Sequence, residues 1–421
     1  MSAIGALIGL ALSIVLIIRK VSPVYSLILG AVVGGLAGGS GLVETVAMMI
    51  GGVQDIVPAI VRILAAGVLS GILVKTGAAA SISYTIIDRL GARHVYLALG
   101  LATMLLTSIG VFIDVAVITV APIALTIGGR LSIPRMKLLL VMIGGGKCGN
   151  IISPNPNTIV AAENFGAPLP SVMLAGVVPA IVGLALVVWV ISRMVPSGGG
   201  RNAGGDEIPS RMESVDTSGL PSFWASIAAP VVTVLLLALR PVFGIVVDPL
   251  IALPAGGLAG IVATGQWRDL GPGMKYGLEK MSSVAILLVG TGTIAGIIKA
   301  STMKDAIIDG LARLNMGETL IAPIAGALMS AATASTTAGA TIASSSFAET
   351  ILAAGVSAVW GAAMINSGAT VLDHLPHGSF FHATGGSVEM KMGERLRLIP
   401  YESLIGVVLA ALTVVSYLLF N

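Results

Sequence analysis

The sequence predicts an all-α protein that crosses a membrane many times and is built from two copies of one helical unit in opposite orientations. Hydrophobic residues make up 56% of the chain and charged residues only 10%, more apolar surface than a soluble core of this size needs. Spanning ~30 Å of hydrocarbon takes roughly 20 helical residues. Long apolar runs recur along the whole chain, at 3–18, 23–39, 95–111, 170–192, 222–239, 243–264 and 401–420.

An internal sequence repeat also supports this fold class, because repeated sequence segments indicate repeated structural units. Three short strings recur in the same order and at nearly constant separation. They are GGLAG (34–38 and 256–260), SGILVK with AGIIK (70–75 and 295–299), and IIDRLGAR with IIDGLAR (86–93 and 307–313). A polar, Gly-rich segment at 196–221 is predicted to be a cytoplasmic linker between the copies, 1–195 and 222–421.

Each copy is predicted to contain about five spans and a re-entrant helical hairpin, at about 94–128 and about 317–353. Basic residues flank the first hairpin on both sides, so both of its ends favour the same side of the membrane. An odd number of crossings makes the copies antiparallel. Placing both termini outside the cytoplasm then puts most of the 23 Lys and Arg residues in cytoplasmic loops. Six crossings per copy, with parallel copies, would place these residues less well.

The first copy also carries a predicted broken helix at about 138–165. The string GGGKCGNIISPNPNT (144–158) places two prolines in an apolar run, and proline removes a backbone donor. Non-helical backbone at membrane depth needs protein or a water-filled cavity around it. A new helix N-terminus at Thr158 would favour an anion. Lys147 beside the break is a candidate to attract that anion or to snorkel. The candidate substrate-binding residues here are Asn150, Ser153, Asn155, Asn157 and Thr158.

The second broken helix is predicted at about 357–382, where three of the 4 histidines lie close together. Histidine titrates near neutral pH, and an acidic residue beside it at membrane depth indicates function. Zinc is the competing chemistry, but no cysteine or carboxylate set completes a structural zinc site, so no metal is predicted. The candidates for proton coupling are Asp373, His374 and His377, and those for substrate binding are Ser367 and Thr370.

The second hairpin carries an uncharged run of hydroxyl and small residues, 330–346. Such a run either packs helices together or lines a polar cavity. Its candidate substrate contacts are Thr333, Ser335, Thr336 and Thr337, and Asp114 near the first hairpin tip is a further proton-coupling candidate. Arg62 and Asp55, within one predicted span, are candidates for a structural ion pair.

These motifs resemble the gluconate permease family, proton symporters within the ion transporter superfamily. The resemblance runs over nearly the whole chain, with anchors at 110–122, 153–167, 330–337 and 367–402. It implies inverted repeats and uptake of gluconate, related sugar acids, glycerate or D-serine. The proline-rich loop of the family usually reads like Pro-His-Pro-Gly-Pro, whereas SPNPN (153–157) stands here and leaves the choice of substrate open.

The sequence therefore predicts a bacterial inner-membrane carrier that takes up a small organic anion with protons. Sodium coupling is the closest alternative, and an intramembrane hydrolase using Ser367 or Ser379 with His374 or His377 is a remote one. No phosphate-binding loop is present in the sequence, so the ion gradient supplies the work and no cofactor is expected. The expected partners are the anion and membrane lipid, with a possible homodimer and no nucleic acid.

Overall fold

The fold is helical throughout the described part of the chain. The structure, a computed structural model, describes residues 1–195, 219–302, 318–376 and 378–420. Most of the predicted linker, the string 307–313 and His377 lie outside these residues. In chain order the helices are α1 (Ala3–Ile18), α2 (Pro23–Ala37), α3 (Leu42–Lys75), α4 (Ala78–Leu90), α5 (Val95–Ser108), α6 (Ile113–Leu131), α7 (Arg135–Asn150), α8 (Pro156–Asn164), α9 (Leu169–Met194), α10 (Phe223–Phe243), α11 (Pro249–Thr264), α12 (Leu270–Lys299), α13 (Ile321–Thr333), α14 (Thr336–Ala353), α15 (Ala358–Gly368), α16 (Ser379–Ser387) and α17 (Met392–Phe420).

Several of these helices are long and apolar enough to cross a membrane. Among the described residues 6 meet both criteria, and they fall in α3, α6, α9, α10, α12 and α17. Helices α1, α2, α5, α11 and α13 are also apolar but have only 10–17 residues. At 1.5 Å per residue they are shorter than a full hydrocarbon crossing. Repeated apolar helices of this kind are those of a multi-pass membrane protein.

The described helices follow the same order in both halves of the chain. Each half begins with a helical pair (α1–α2 and α10–α11) and continues with its long helix (α3 and α12). In the first half α4 comes next. Both halves then continue with a helix–turn–helix (α5–α6 and α13–α14), an interrupted helix (α7–α8 and α15–α16) and a closing span (α9 and α17).

The two long helices, α3 and α12, pack against each other through glycines. A Cβ atom added to Gly52 would lie 2.1 Å from the carbonyl oxygen of Gly292, and one added to Gly71 would lie 2.0 Å from that of Gly273. Only glycine permits such close backbone approach between membrane helices. Residue numbers on α12 decrease as those on α3 increase from one contact to the next, so α3 and α12 run antiparallel.

Each helix–turn–helix packs along the first segment of its own interrupted helix. In the first half, a Cβ atom on Gly145 would lie 2.1 Å from the carbonyl oxygen of Gly100. In the second half, a Cβ atom on Gly368 would lie 2.3 Å from the carbonyl oxygen of Pro323. Each turn also lies beside the interruption of its own half, since a Cβ atom on Gly149 would lie 2.1 Å from Thr107 Oγ1, and one on Gly378 would lie 2.4 Å from the Ala334 carbonyl oxygen. The first turn uses Gly110 with φ +99°, a value that glycine adopts without strain.

The crossing of α3 and α12 gives a matched test in two neighbouring glycines. We expect Gly52→Ala to lower the free energy of unfolding by about 1–3 kcal/mol, because its methyl group would overlap the backbone of α12. Gly51→Ala is the control, since a Cβ atom at Gly51 meets nothing within 4 Å. Thermal unfolding in detergent measures both. Equal stability of the two variants would contradict the close crossing.

Candidate functional site

The first interruption is held open by asparagine side chains. Helix α7 ends at Asn150 and α8 begins at Pro156, whose missing N–H costs nothing at a helix start. The Asn155 side-chain oxygen caps α8 by accepting hydrogen bonds from the Thr158 amide at 3.1 Å and from its hydroxyl at 3.0 Å. The Asn155 amide nitrogen donates to the Asn150 carbonyl at 2.9 Å. The helix start expected at Thr158 thus lies at Pro156, and the chain's own amide occupies its positive end.

A second set of amide contacts joins the two interruptions. Asn157 donates from Nδ2 to Asn366 Oδ1 at 2.6 Å, and Asn366 donates from Nδ2 to Thr158 Oγ1 at 3.0 Å. These side chains are almost fully buried. Because a buried amide without partners is costly, this pairing fixes the first interruption against the second.

A cavity of about 270 Å³ lies where both turns and both interruptions meet. The first turn contributes Phe112, Ile113 and Asp114, and the second contributes residues 334–337. Helix α12 supplies polar groups from outside the interrupted helices. The remaining lining residues are Asn150, Asp373, Ser379, Phe380, Lys280, Ser283 and Val284.

The structure brings some of the sequence-predicted site residues to this cavity and leaves others away from it. Those that line it are Asp114, Asn150, Ser335, Thr336, Thr337 and Asp373. Those that do not are Ser153, Asn155, Asn157, Thr158, Thr333, Ser367, Thr370 and His374, while His377 lies outside the described residues. Most of this second group is buried, with side chains exposed by 5% or less.

The second turn connects the cavity to the second interruption. Ala334 has φ +46°, and the Ser335 hydroxyl caps α14 by accepting a hydrogen bond from the Ala338 amide at 3.2 Å. The Thr336 hydroxyl donates to Asp373 Oδ2 at 2.6 Å. A Cβ atom on Gly378 would lie 2.4 Å from the Ala334 carbonyl oxygen, so the backbones of the turn and the interruption touch.

A buried charged group lies directly behind Asp373. The Lys147 ammonium donates to Asp373 Oδ1 at 2.7 Å and to the Thr370 carbonyl at 2.5 Å, and it lies 3.1 Å from His374 Nδ1. The Lys147 side chain is 0% exposed and the Asp373 side chain 2%. The Lys147 ammonium therefore does not extend to a solvent-exposed surface, and Lys147 does not line the cavity. It neutralises a carboxylate that the other half of the chain supplies.

The neighbours of His374 determine what its two ring nitrogens can do. Nε2 lies 3.0 Å from the carbonyl oxygen of Ile399, which can only accept, so Nε2 carries a hydrogen. In the neutral ring Nδ1 is then an acceptor, which suits the Lys147 ammonium. Once Nδ1 is protonated it becomes a donor that suits Asp373 Oδ1, 3.0 Å away. Nδ1 therefore lies between a possible donor, the Lys147 ammonium, and an acceptor, Asp373 Oδ1.

A second buried ion pair lies within α17, and its arginine also contacts α16. Arg395 forms an ion pair with Glu402, and its Nη2 lies 3.1 Å from Glu402 Oε2. Its Nε donates to the Phe381 carbonyl at 3.2 Å, and its guanidinium lies 4.6 Å from the centre of the Phe381 ring. The sequence analysis missed this pair, although two opposite charges seven positions apart in an apolar helix were a signal.

A larger cavity of about 570 Å³ lies between the long helices, α8 and α14, and its charged lining residues are Asp55, Glu163, Lys299 and Glu349. Lys299 Nζ lies 3.2 Å from Asp55 Oδ2 and 3.6 Å from Glu349 Oε1. Arg62 pairs with Glu163 and lies 2.8 Å from Asp248 Oδ2. The expected Arg62–Asp55 pair is therefore wrong, because both residues reach partners on other helices. The hydrogen bond from Arg62 lowers the pKa of Asp248.

Lys280 is the charged cavity residue that sequence reasoning missed. It lies on α12, close to where the polar start of that helix gives way to its apolar part, and its sequence context resembles an ordinary cytoplasmic helix end. Helix interruptions do not point to Lys280, because α12 is continuous from Leu270 to Lys299. Only the packing of α12 against both turns brings Lys280 to the cavity.

Interrupted helices and helix–turn–helix tips around a polar cavity, in a chain with several apolar helices, define a multi-pass membrane transporter. Residues 1–420 match the protein family described as GntP family permease, and the chain belongs to that family. It is 54% identical over 420 residues to an uncharacterized transporter of Haemophilus influenzae, covering 100% of this chain and 98% of that one. It is 26% identical over 239 residues to the high-affinity gluconate transporter of Escherichia coli, covering 54% and 51% of the two chains.

A solved structure has the same fold at low sequence identity. The crystal structure of the Alcanivorax borkumensis YdaH transporter, described as having an unusual topology, superposes with a TM-score of 0.65 at 15% identity. The match covers 89% of this chain and 88% of that one. The predicted family is confirmed, and the relatives are transporters rather than enzymes. Consistent with this, the described hydroxyl nearest His374 Nε2 belongs to Ser403, not to Ser367 or Ser379.

The Arg395–Glu402 pair gives a stability test. We expect Arg395→Met to lower the free energy of unfolding by about 3–5 kcal/mol, because it leaves a buried carboxylate without a partner. Adding Glu402→Met should recover much of that loss. Lys299→Met is the control; its ion pair is 58% exposed and should change stability by about 1 kcal/mol or less. Thermal unfolding in detergent would contradict this reading if the double variant were no more stable than Arg395→Met.

Proposed function

We propose that this chain is a proton-coupled symporter that takes up a small sugar acid of the gluconate class through the bacterial inner membrane. The observation that carries the proposal is the 270 Å³ cavity, which joins both turns and both interruptions directly in front of a buried titratable group. Family membership and the gluconate transporter among the relatives support the substrate class.

The cavity offers donors suited to a hydroxylated carboxylate. Lys280 supplies a positive charge, and hydrogen bonds that involve a charged group are roughly twice as strong as neutral ones. Asn150 Nδ2 is buried at the cavity wall and has no hydrogen-bond partner among the described residues. The hydroxyls of Ser335, Thr337 and Ser379 add neutral donors and acceptors for sugar hydroxyls. Phe112 and Phe380 provide apolar surface for the carbon chain.

Proton coupling is assigned to the group behind this cavity, with Asp373 at its surface and His374 behind it. With neutral His374, the positive Lys147 and negative Asp373 cancel. One proton on His374 makes the group positive, which offsets one substrate carboxylate nearby. Asp114 lines the same cavity and is a further coupling candidate. Sodium coupling remains the alternative that experiment must separate.

We propose that the two halves are inverted copies, with both termini outside the cytoplasm and with hairpins that enter the membrane without crossing it. The antiparallel packing of α3 against α12, the corresponding helices of the two halves, supports inversion. Transport then follows from movement of the turns and interruptions against a scaffold that contains α3 and α12. Lipid, and in the proposed homodimer a second copy, would cover the exposed apolar faces of the outer helices.

Uptake into proteoliposomes tests the function directly. We expect purified protein to accumulate labelled gluconate inside vesicles when the outside is made acidic, with sodium absent, because the proton gradient supplies the work. A protonophore should abolish accumulation while leaving exchange of internal for external gluconate. His374→Gln should likewise retain exchange and lose accumulation. Strict dependence on sodium, or unchanged acid-driven accumulation by His374→Gln, would refute the coupling assignment.

Lys280 tests the assignment of the binding cavity. We expect Lys280→Ala to raise the KM for gluconate roughly tenfold, since losing one charge-assisted hydrogen bond costs about 1.5–3 kcal/mol. Lys275→Ala is the matched control, because Lys275 carries the same charge on the same helix but does not line the cavity. Exchange kinetics in proteoliposomes compare the two. A similar KM for both variants would exclude Lys280 from substrate binding.

A further inference from the structure

We propose that the ammonium group of Lys147 is a tethered cation in a site that would otherwise hold a free monovalent ion, so that sodium is excluded from it. The inference deepens the proposed function, because it gives a structural reason for coupling to protons. Its basis is the set of oxygen atoms around Lys147.

The ligands of Lys147 are those of a small hard cation. The ammonium contacts the Thr370 carbonyl at 2.5 Å, Asp373 Oδ1 at 2.7 Å and the Glu402 carbonyl at 3.4 Å. Thr370 lies just after α15 ends at Gly368, so it belongs to the unwound segment. Unwound carbonyls and the C-terminal ends of half-helices coordinate sodium or protons in inverted-repeat carriers. The negative end of α15 also favours a positive charge there.

Lysine reaches this site from the other half of the chain. Lys147 lies in the last turn of α7, immediately before the first interruption, and its side chain extends to the second. A side chain of this length is normally exposed, and full burial of its charge is tolerated only with paired oxygens. The chain therefore carries a permanent cation in the place where the second interruption would otherwise need one.

The groups that face Lys147 leave no ligands free for a sodium ion beside it. Asp373 and His374 approach from the second interruption. From α17 only the backbone of Glu402 reaches it, since the carboxylate of that residue pairs with Arg395. From α6, Asp114 lies across the cavity that Asp373 also lines. A sodium ion at this site would need the Thr370 carbonyl and Asp373 Oδ1, which already accept hydrogen bonds from the ammonium, so sodium and the ammonium compete for the same ligands.

Removal of the lysine side chain should open the site to sodium. The probe is sodium chloride exchanged for choline chloride at constant ionic strength, and the readout is thermal unfolding of the full chain in detergent. Wild-type protein should unfold at the same temperature in both salts. Lys147→Ala should unfold at least about 3 °C higher in sodium at ~150 mM, because a ligand that binds only the folded state stabilises it.

Two further variants control this measurement. Lys299→Ala removes an exposed lysine and should show no difference between the salts. Lys147→Ala combined with Asp373→Asn removes the carboxylate ligand and should also lose the response to sodium. Recovery of folded Lys147→Ala in sodium but not in choline would support the proposal just as a shift in unfolding temperature would.

The opposite outcomes overturn the proposal. Sodium-dependent stabilisation of the wild type would show that Lys147 does not exclude the ion. Equal behaviour of Lys147→Ala in both salts, or no folded protein in either, would show that a free cation cannot replace the ammonium. A sodium response in the double variant would place the ion elsewhere. No transport is measured, so failure to carry gluconate would refute the proposed function separately.

Discussion

The ion pair between Lys147 and Asp373 is the interaction on which the centre of this protein depends. Interrupted helices expose carbonyl and amide groups that lipid cannot satisfy, and unpaired charges at that depth are costly. Each interruption here is completed by the other half of the chain. Lys147 takes up the Thr370 carbonyl and the Asp373 carboxylate, while Asn157 and Thr158 bond to Asn366. Neither half can bury its broken helix alone, so the centre forms only when both halves meet.

The contacts between α3 and α12 are closer than the contacts that connect these two helices to α14 and α8. The crossing of α3 and α12 is backbone against backbone and leaves little freedom to slide. By contrast, the Lys299–Glu349 and Arg62–Glu163 pairs, which connect the long helices to α14 and α8, are partly exposed to solvent. Exposed ion pairs contribute at most about 1 kcal/mol. In the proposed transport cycle, these pairs are the contacts between the scaffold and the moving parts that break at least cost.

Local chemistry predicts where this chain stops being helical, but not which way its polar side chains face. Two prolines within an apolar run require an interruption between Asn150 and Pro156, and the structure has one. The partner of each side chain depends on packing between distant helices. Asn155 turns inward to cap α8, Arg62 reaches Glu163 and Asp248 rather than Asp55, and Lys280 comes to the cavity from an uninterrupted helix. The sequence pattern was enough to predict the interruptions, whereas the residues that line the cavity could be identified only from the folded structure.

The charge of the buried group links these features to coupling. In the proposed mechanism, Lys147 balances the charge of Asp373 without an external cation, and His374 beside them takes up the coupled proton. A protonated Nδ1 would be repelled by the Lys147 ammonium and would donate to Asp373 Oδ1 instead. The other oxygen of Asp373 accepts a hydrogen bond from the Thr336 hydroxyl at the cavity wall. Any shift of Asp373 toward His374 would therefore change its hydrogen bond with the Thr336 hydroxyl. In this proposed mechanism an anion in the cavity compensates the added charge, so that proton and substrate each favour the binding of the other.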